Sequence, residues 1–482
     1  MNTSTAGCIR RFPHIQTIAM AAVLLSTGCA SLDASRELTI AAEASQRVGG
    51  SITPADAWSL PVQGESPAWD GTAPLTYDNA VAVALQGDPA LRSALAVIVE
   101  RRAWYVQRGL PPNPTVAFGI GTAIDGLSGA PVMAQGMQML SWIWKNPHRV
   151  EAAEAELRAA VYDAADRCVV IMAKTRTQLA AVIAAQQMLA LNMQYVGITQ
   201  QTVDLVQSLQ QAGELAHLDL DRAIVDHEQA VAVMVASEHD LLDARLNLLG
   251  TIGRPDASTT WIAQGDLPPT WKIPSDEAAL LALAGVGRLD VAARLEVVRR
   301  LEAELGLAET LRFPEIGVTL AYRKNSGGRE SIVPGANVTL PILDNGDPAI
   351  AIQLAKLEQA HMDVLSAIET VQQDVRTSFN RYRDATSQVE IIRNRQLDAA
   401  IAAQQRSDAA YAEGEVDLNT LLMTQRQRIA VERSLVQQEY RIMQAMCELR
   451  RAVGGSFDPM IDAVPAFDIE ARSPGTNLEG SS

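Results

Sequence analysis

The 482-residue chain is 48% hydrophobic but only 4% aromatic, and it carries a formal charge of −16 at pH 7. That charge excludes a nucleic-acid role, which needs a basic face to neutralise phosphates. With 20% charged residues and no apolar run of spanning length beyond the N-terminus, a bundle of membrane-spanning helices is excluded too. The apolar share comes from Ala, Leu, Val and Ile, the composition of long packed helices.

The N-terminus sets the compartment. Arg10 and Arg11 precede a short apolar stretch, 15–25, and then comes Leu25-Ser26-Thr27-Gly28-Cys29. This reads as a secretory signal over 1–28, too short for a membrane span and followed by polar chain. A cysteine directly after small residues resembles the lipobox of bacterial lipoproteins, which implies a lipid on Cys29. Ser26 departs from the aliphatic residue usual three positions before the cysteine. No Asp follows Cys29, which by the same resemblance points to the outer membrane. Cys168 and Cys447 lie 279 positions apart in helical stretches; they read as small buried apolar residues rather than a disulfide framework.

Internal similarity decides the fold. Gly213-Glu214-Leu215 sits 40 residues before Gly253, and Gly414-Glu415-Val416 sits 40 before Gly454, an offset of 201. Asn113-Pro114 matches Phe313-Pro314 at an offset of 200, and Thr76 to Asp78 matches Ser275 to Glu277 at 199. The chain is therefore read as a signal segment 1–28, an arm 29–74, a repeat 75–253, a linker 254–273, a second repeat 274–454 and a polar tail 455–482.

Each repeat reads helix, strand, strand, helix, helix. In the first, Thr76 is the expected N-cap of a helix over 78–109. Prolines break it, and 115–121 then alternates with Val116, Phe118 and Ile120 on one face. A Gly-rich turn leads to a second strand over 132–140. Pro147 is expected to open a helix that runs to about 212, ended by Gly213, and a last helix follows over 217–250. The second repeat gives a helix to 312, strands near 315–322 and 332–340, and helices over 348–413 and 418–453. The long helix should extend ~100 Å at 1.5 Å per residue, and the two shorter ones should match it if stacked end to end. That is the wall of a long cylinder rather than a globular core.

Four strands cannot close a membrane barrel, and an open edge is not tolerated in hydrocarbon. Strands that enter a membrane must therefore be completed by other copies, and a trimer supplies twelve. Trp142 and Trp144 would then stand in a periplasmic aromatic girdle; otherwise they are core aromatics at a strand–helix joint.

Enzyme signatures are lacking: there is no P-loop, dinucleotide turn, Gly-x-Ser-x-Gly or His-Glu-x-x-His. No catalytic, cofactor or metal residue is assigned. His217, His227 and His239 share a helix but fall about 80° and 120° apart at helical pitch, so they read as solvated. Met133, Met137 and Met139 share strand parity. They could form a soft-metal track, but a lipid- or core-facing stripe is the expected reading.

The order, spacing and duplication of four segments resemble the TolC-type outer-membrane efflux channel family over about 75–454. They are LTYDNAVAVAL at 75–85 with DPAL at 88–91, GLPPNP at 109–114, VTLPILD at 338–344 and YAEGEVDL at 411–418. The resemblance implies a mainly α chain with a small membrane β-barrel contribution: a homotrimer with a twelve-stranded barrel and a long periplasmic α-helical tunnel. It implies a passive duct in the outer membrane of a Gram-negative bacterium, partnered by a periplasmic adaptor (membrane fusion) protein and an inner-membrane efflux pump. The other reading is a lipid-anchored periplasmic coiled-coil scaffold without a pore. The tunnel would narrow at the helix turns marked by Gly213 and Gly414. Family members that close by acidic rings place two Asp nine and twelve residues after the turn tyrosine. Counting from Tyr411 gives Thr420 and Met423, so that pair is missing here. The repeat offset carries Thr420 back to Asp219, leaving Asp219, Asp221 and Asp417 as the acids near the constriction. A ring of such acids favours cations; alternatively they serve the first turn of a helix, where the macrodipole stabilises them.

Overall fold

The computed structural model describes residues 32–49, 69–122, 130–268 and 273–457. The signal segment, Cys29, part of the arm and of the linker, and the tail beyond 457 lie outside the described residues.

The elements run α1 (Ser35–Gly49), α2 (Tyr77–Gly87), α3 (Pro89–Gly109), β1 (Thr115–Ile120), β2 (Val132–Met139), α4 (Trp142–Gln211) and α5 (His217–Thr251). The second repeat follows with α6 (Glu277–Gly287), α7 (Leu289–Glu309), β3 (Glu315–Lys324), β4 (Glu330–Thr339), α8 (Asp347–Ile391), α9 (Asp398–Ala412) and α10 (Leu418–Ala452). Thr76 caps α2 as expected, its hydroxyl accepting from the Asn79 N–H. Its counterpart is Asp276, which caps α6, so the repeat offset there is 200 rather than 199.

The helix expected up to 312 breaks at Arg288 into α6 and α7, and three further boundaries differ from the sequence reading. The single helix expected over 78–109 is two helices meeting at 56°. Asp88 leaves helical geometry with ψ 115° and caps α3 by accepting from Ala90 and Leu91, because a residue before proline avoids the α region. Second, α4 starts at Trp142, and Pro147 lies inside its second turn. The Leu140 and Ser141 N–H groups both bond to the Ile316 carbonyl, at 2.8 and 3.2 Å, which fixes where the chain leaves the sheet. Third, the helix expected over 348–413 carries a π-helical turn, Ile392–Leu397, between α8 and α9.

The 70 residues of α4 extend ~105 Å. Along that length α4 packs against α3 and α7 on one stretch and against α5 and α10 on another. The short helices stack end to end at two joints. A Cβ on Gly87 would lie 2.5 Å from the Ile252 carbonyl oxygen at the end of α5, and one on Gly287 would lie 2.7 Å from the Val453 carbonyl oxygen at the end of α10. Only glycine allows the two backbones to approach that closely.

The largest core gathers at this level. Leu91, Ile98, Leu157, Leu179, Leu248 and Trp261 are fully buried together, and Trp69 meets Trp261 edge to face at 5.8 Å. Helix α1 lays Ala41, Ala42 and Ala44 onto the same core, small residues that let two helices approach closely.

Candidate functional site: the strand ribbon and the turn end of the helices

The four strands form one antiparallel sheet in the order β1-β2-β3-β4, so among the described residues β1 and β4 keep an unpaired edge each. The register sorts its side chains into two faces. Phe118 stands in a row with Ala134, Tyr322 and Ile332, and Val116 in a row with Gly136, Leu320 and Pro334. This face is a continuous apolar band, with Phe118 and Ile120 both 80% exposed. Thr115, Gln135, Thr319, Arg323 and Asn337 share the other face. An apolar outer band backed by a polar inner face is the pattern of a membrane barrel wall.

The register also assigns the methionines to a face. Met137 pairs with Thr115 and Thr319, and Met133 with Gly119 and Arg323. Met133, Met137 and Met139 therefore project from the polar face, opposite Phe118 and Ile120, because the period of two ties them to that side.

Trp142 and Trp144 occupy the first turn of α4, directly below the sheet, and both are half-buried. Beside them the buried Lys145 ammonium reaches Glu315 Oε1 at 2.5 Å, tying the start of α4 to the start of β3. Nothing in the local sequence signals that pair, since its members are 170 positions apart.

At the far end, Gly213 (φ 82°) and Gly414 (φ 76°) terminate the long helices in the left-handed conformation. The next N–H in each case reaches back five residues, Glu214 to Leu209 and Glu415 to Ala410, which satisfies carbonyls left open at a helix end. Asp417 caps α10: its carboxylate accepts from the Thr420 hydroxyl at 2.6 Å and the Thr420 N–H at 2.9 Å. The Thr420 hydroxyl, then its N–H, hold the Asp417 carboxyl below its ordinary range, and Arg222 adds to this. Asp219 lies in the first turn of α5, 3.6 Å from Arg222. Arg222, which the sequence did not single out, thus stands against two of the three expected acids. Asp221 is exposed, and Met423 is 68% exposed. Under them Val206, Ala223, Tyr411, Leu418, Leu421 and Leu422 form a small core between the two turns. Burial, then Asp219, raises the Tyr411 phenol above its usual range.

Behind the turns, buried polar groups join the repeats. Asp226 of α5 is 3% exposed and accepts from Arg426 Nε of α10 at 2.5 Å and from the Tyr195 hydroxyl of α4 at 3.3 Å. Burial, then Asp226, pushes the Tyr195 phenol up to about 12. One helical stretch further, Arg433 donates to Asn192 at 2.7 Å, and Asn192 donates to Ser237. Each of these side chains lies on a helix that reads simply as amphipathic, so the pairing was hidden until the helices were assembled.

His227 bonds with Thr199 and His239 with the Val235 carbonyl, while His217 faces Gln210; they do not converge. Cys168 and Cys447 are free and buried, and burial raises both thiols, Cys447 to about 11.

Residues 280–455 match the family model described as outer membrane efflux protein. That likeness lies in the second repeat and spans α6 to the end of α10. No curated protein sequence matches the chain. Solved structures share the fold over about four fifths of the chain. The outer-membrane channel OprN is 19% identical with a TM-score of 0.68, covering 85% of this chain and 99% of its own. The outer membrane protein VceC from Vibrio cholerae is 15% identical, TM-score 0.67, over 79% of this chain and 97% of its own. The open state of the MtrE outer membrane channel from Neisseria gonorrhoeae is 18% identical, TM-score 0.67, over 79% and 89%.

Proposed function

We propose that this protein is the outer-membrane channel of a tripartite efflux system, a passive duct that performs no chemistry and draws its energy from an inner-membrane pump through a periplasmic adaptor. The observation that carries this reading is the four-stranded sheet, apolar on one face and polar on the other, with unpaired edges on β1 and β4. Such a sheet enters a bilayer only if further copies close it. Three copies give a twelve-stranded barrel. The helices support the same assembly: α8 exposes Leu354, Leu365 and Ile368 along one side, and α5 exposes Leu218 and Val225. Rows of this kind on both outer helices suit burial against the next protomer.

A lipid on Cys29 is part of the proposal. Glu37, two residues into α1, is buried against Arg102 of α3 at 3.1 Å, and Arg102 lies two turns before α3 ends beneath the sheet. Cys29, six residues before Ser35, therefore has a tether of up to ~20 Å to the membrane face, which supports anchoring in the inner leaflet after removal of 1–28. Trp142 and Trp144, at the same level, fit an interfacial girdle. At the opposite end Asp219, Asp221 and Asp417, with Thr420 and Met423, are proposed to line the constriction.

The deciding experiment is the native mass of the detergent-extracted chain, followed by conductance in a planar bilayer. A trimer that conducts is expected. A monomer that stays soluble without detergent once delipidated overturns the duct and leaves a lipid-anchored scaffold.

A further inference from the structure

The duct leaves one set of side chains without a role. Met133, Met137 and Met139 project from the polar face of β2, opposite the apolar band. Once that band meets lipid, the three thioethers line the water-filled interior. A hydroxyl would be better hydrated there, and a thioether gains nothing from facing water.

Two of them converge. A Cβ on Gly317 would lie 3.0 Å from Met139 Sδ and 3.8 Å from Met137 Cγ, so both side chains fold over the same glycine. Their Cα atoms, two residues apart on a strand, are about 6.8 Å apart, a span two thioether arms can close around one ion. The Asn337 side-chain amide lies 4.0 Å from Met137 Sδ. Among the described residues no group of three or more His, Cys, Asp or Glu side chains could hold a metal, so a hard cation finds no ligand set. Thioether sulfur selects soft ions, Cu(I) above all. A further exposed thioether, Met423, stands near the turn at the other end of the helices.

We propose that Met137 and Met139 form a lumenal site for a soft monovalent metal ion, Cu(I) or Ag(I), with Met133 as the next thioether toward the exterior, and that such ions are a cargo of this channel. The inference rests on the channel reading, because only barrel closure turns this face inward. The ion exchanges coordinated water for sulfur lone pairs; no electron is transferred and no covalent bond is broken.

The test uses the full chain in detergent with silver nitrate as the probe. Binding is followed by calorimetry and by the 13C shifts of the methionine methyl groups, and conductance is recorded on the same preparation. About one Ag(I) per chain is expected, with the Met137 and Met139 methyls moving together. The double variant Met137→Leu, Met139→Leu conserves volume and should keep its trimer, yet weaken silver binding by about tenfold or more. Met443→Leu, buried among the helices, should bind as the parent does. Silver binding that survives the double variant, on the Cys168 and Cys447 thiols or elsewhere, overturns the site. A conducting trimer that binds no silver overturns it too and leaves the channel intact. A chain that binds silver at these methionines but never conducts keeps the thioether pair and overturns the channel.

Discussion

Gly253 rests on the backbone of Gly87: a Cβ added to it would lie 2.8 Å from the Gly87 carbonyl oxygen, and its φ is 72°. The second repeat repeats the contact, with Gly454 (φ 91°) against the carbonyl of Gly287. Each contact is the joint at which a lower helix ends beneath an upper one, so two short helices continue as one column beside a long one. Helices of 21 and 35 residues are thereby joined into a column ~84 Å long beside α4.

These joints predict a graded glycine series. Gly253→Ala and Gly454→Ala meet both backbone contact and positive φ, and each should cost about 2–3 kcal/mol. Gly414→Ala has open space around it and should cost only the conformational part, about 1 kcal/mol. Gly250→Ala, helical and unobstructed, should be neutral or stabilising. Apparent melting temperatures of the four variants check the ranking, and equal losses at Gly414 and Gly454 would remove the role given to the joint.

A pH dependence follows from Asp166. Burial first, then Asp290, push its carboxyl up to about 6, against the opposing pull of Arg288 and Arg451; Asp163 on the same helix adds to the rise. An acid whose folded pKa is raised binds its proton more readily in the native state. Its contribution is therefore full below about 4 and is lost as pH rises through about 6. Asp166→Asn should raise stability at pH 7.5 by about 1 kcal/mol after allowance for partial solvent screening, read as a higher melting temperature, and should leave it unchanged at pH 4. A gain of equal size at both pH values would show that packing, rather than charge, is responsible.

The pair Asp226–Arg426 is asymmetric, since the carboxylate is buried while the arginine side chain is 54% exposed. Removing the arginine strands a charge, whereas neutralising the acid frees a guanidinium into water. Arg426→Ala should cost about 3 kcal/mol and Asp226→Asn about 1. Thermal unfolding measures both, and limited proteolysis at the 213–216 turn should accelerate more in the arginine variant.

Arg222 tempers the acids at the turns. Arg222→Gln should leave Asp219 and Asp417 uncompensated and increase cation preference in the reversal potential across a salt gradient. An unchanged reversal potential would place both carboxylates away from the ion path.

The sequence by itself determined the repeat, the strand positions and the glycine-terminated turns. Each of these is written in local terms: an offset near 200, alternation at Val116, Phe118 and Ile120, a proline or a glycine at a fixed place. The stacked helices are shorter than the long one rather than equal to it, because each expected upper helix breaks, at Asp88 and Arg288. Only the tertiary structure decided the break at Asp88, the facing of the methionines and the polar pairs that join the repeats. Asp88 sits before a proline in an otherwise helical pattern, and the tertiary stacking of Gly87 on Ile252 makes that break a joint. Parity shows that Met133, Met137 and Met139 share a face, but which face requires the register with β3. Asp226 and Arg426, or Lys145 and Glu315, lie 170 to 200 positions apart, and a charge on an amphipathic helix carries no record of its partner. Short-range order follows from short-range chemistry, whereas pairing across the wall depends on where each helix comes to rest.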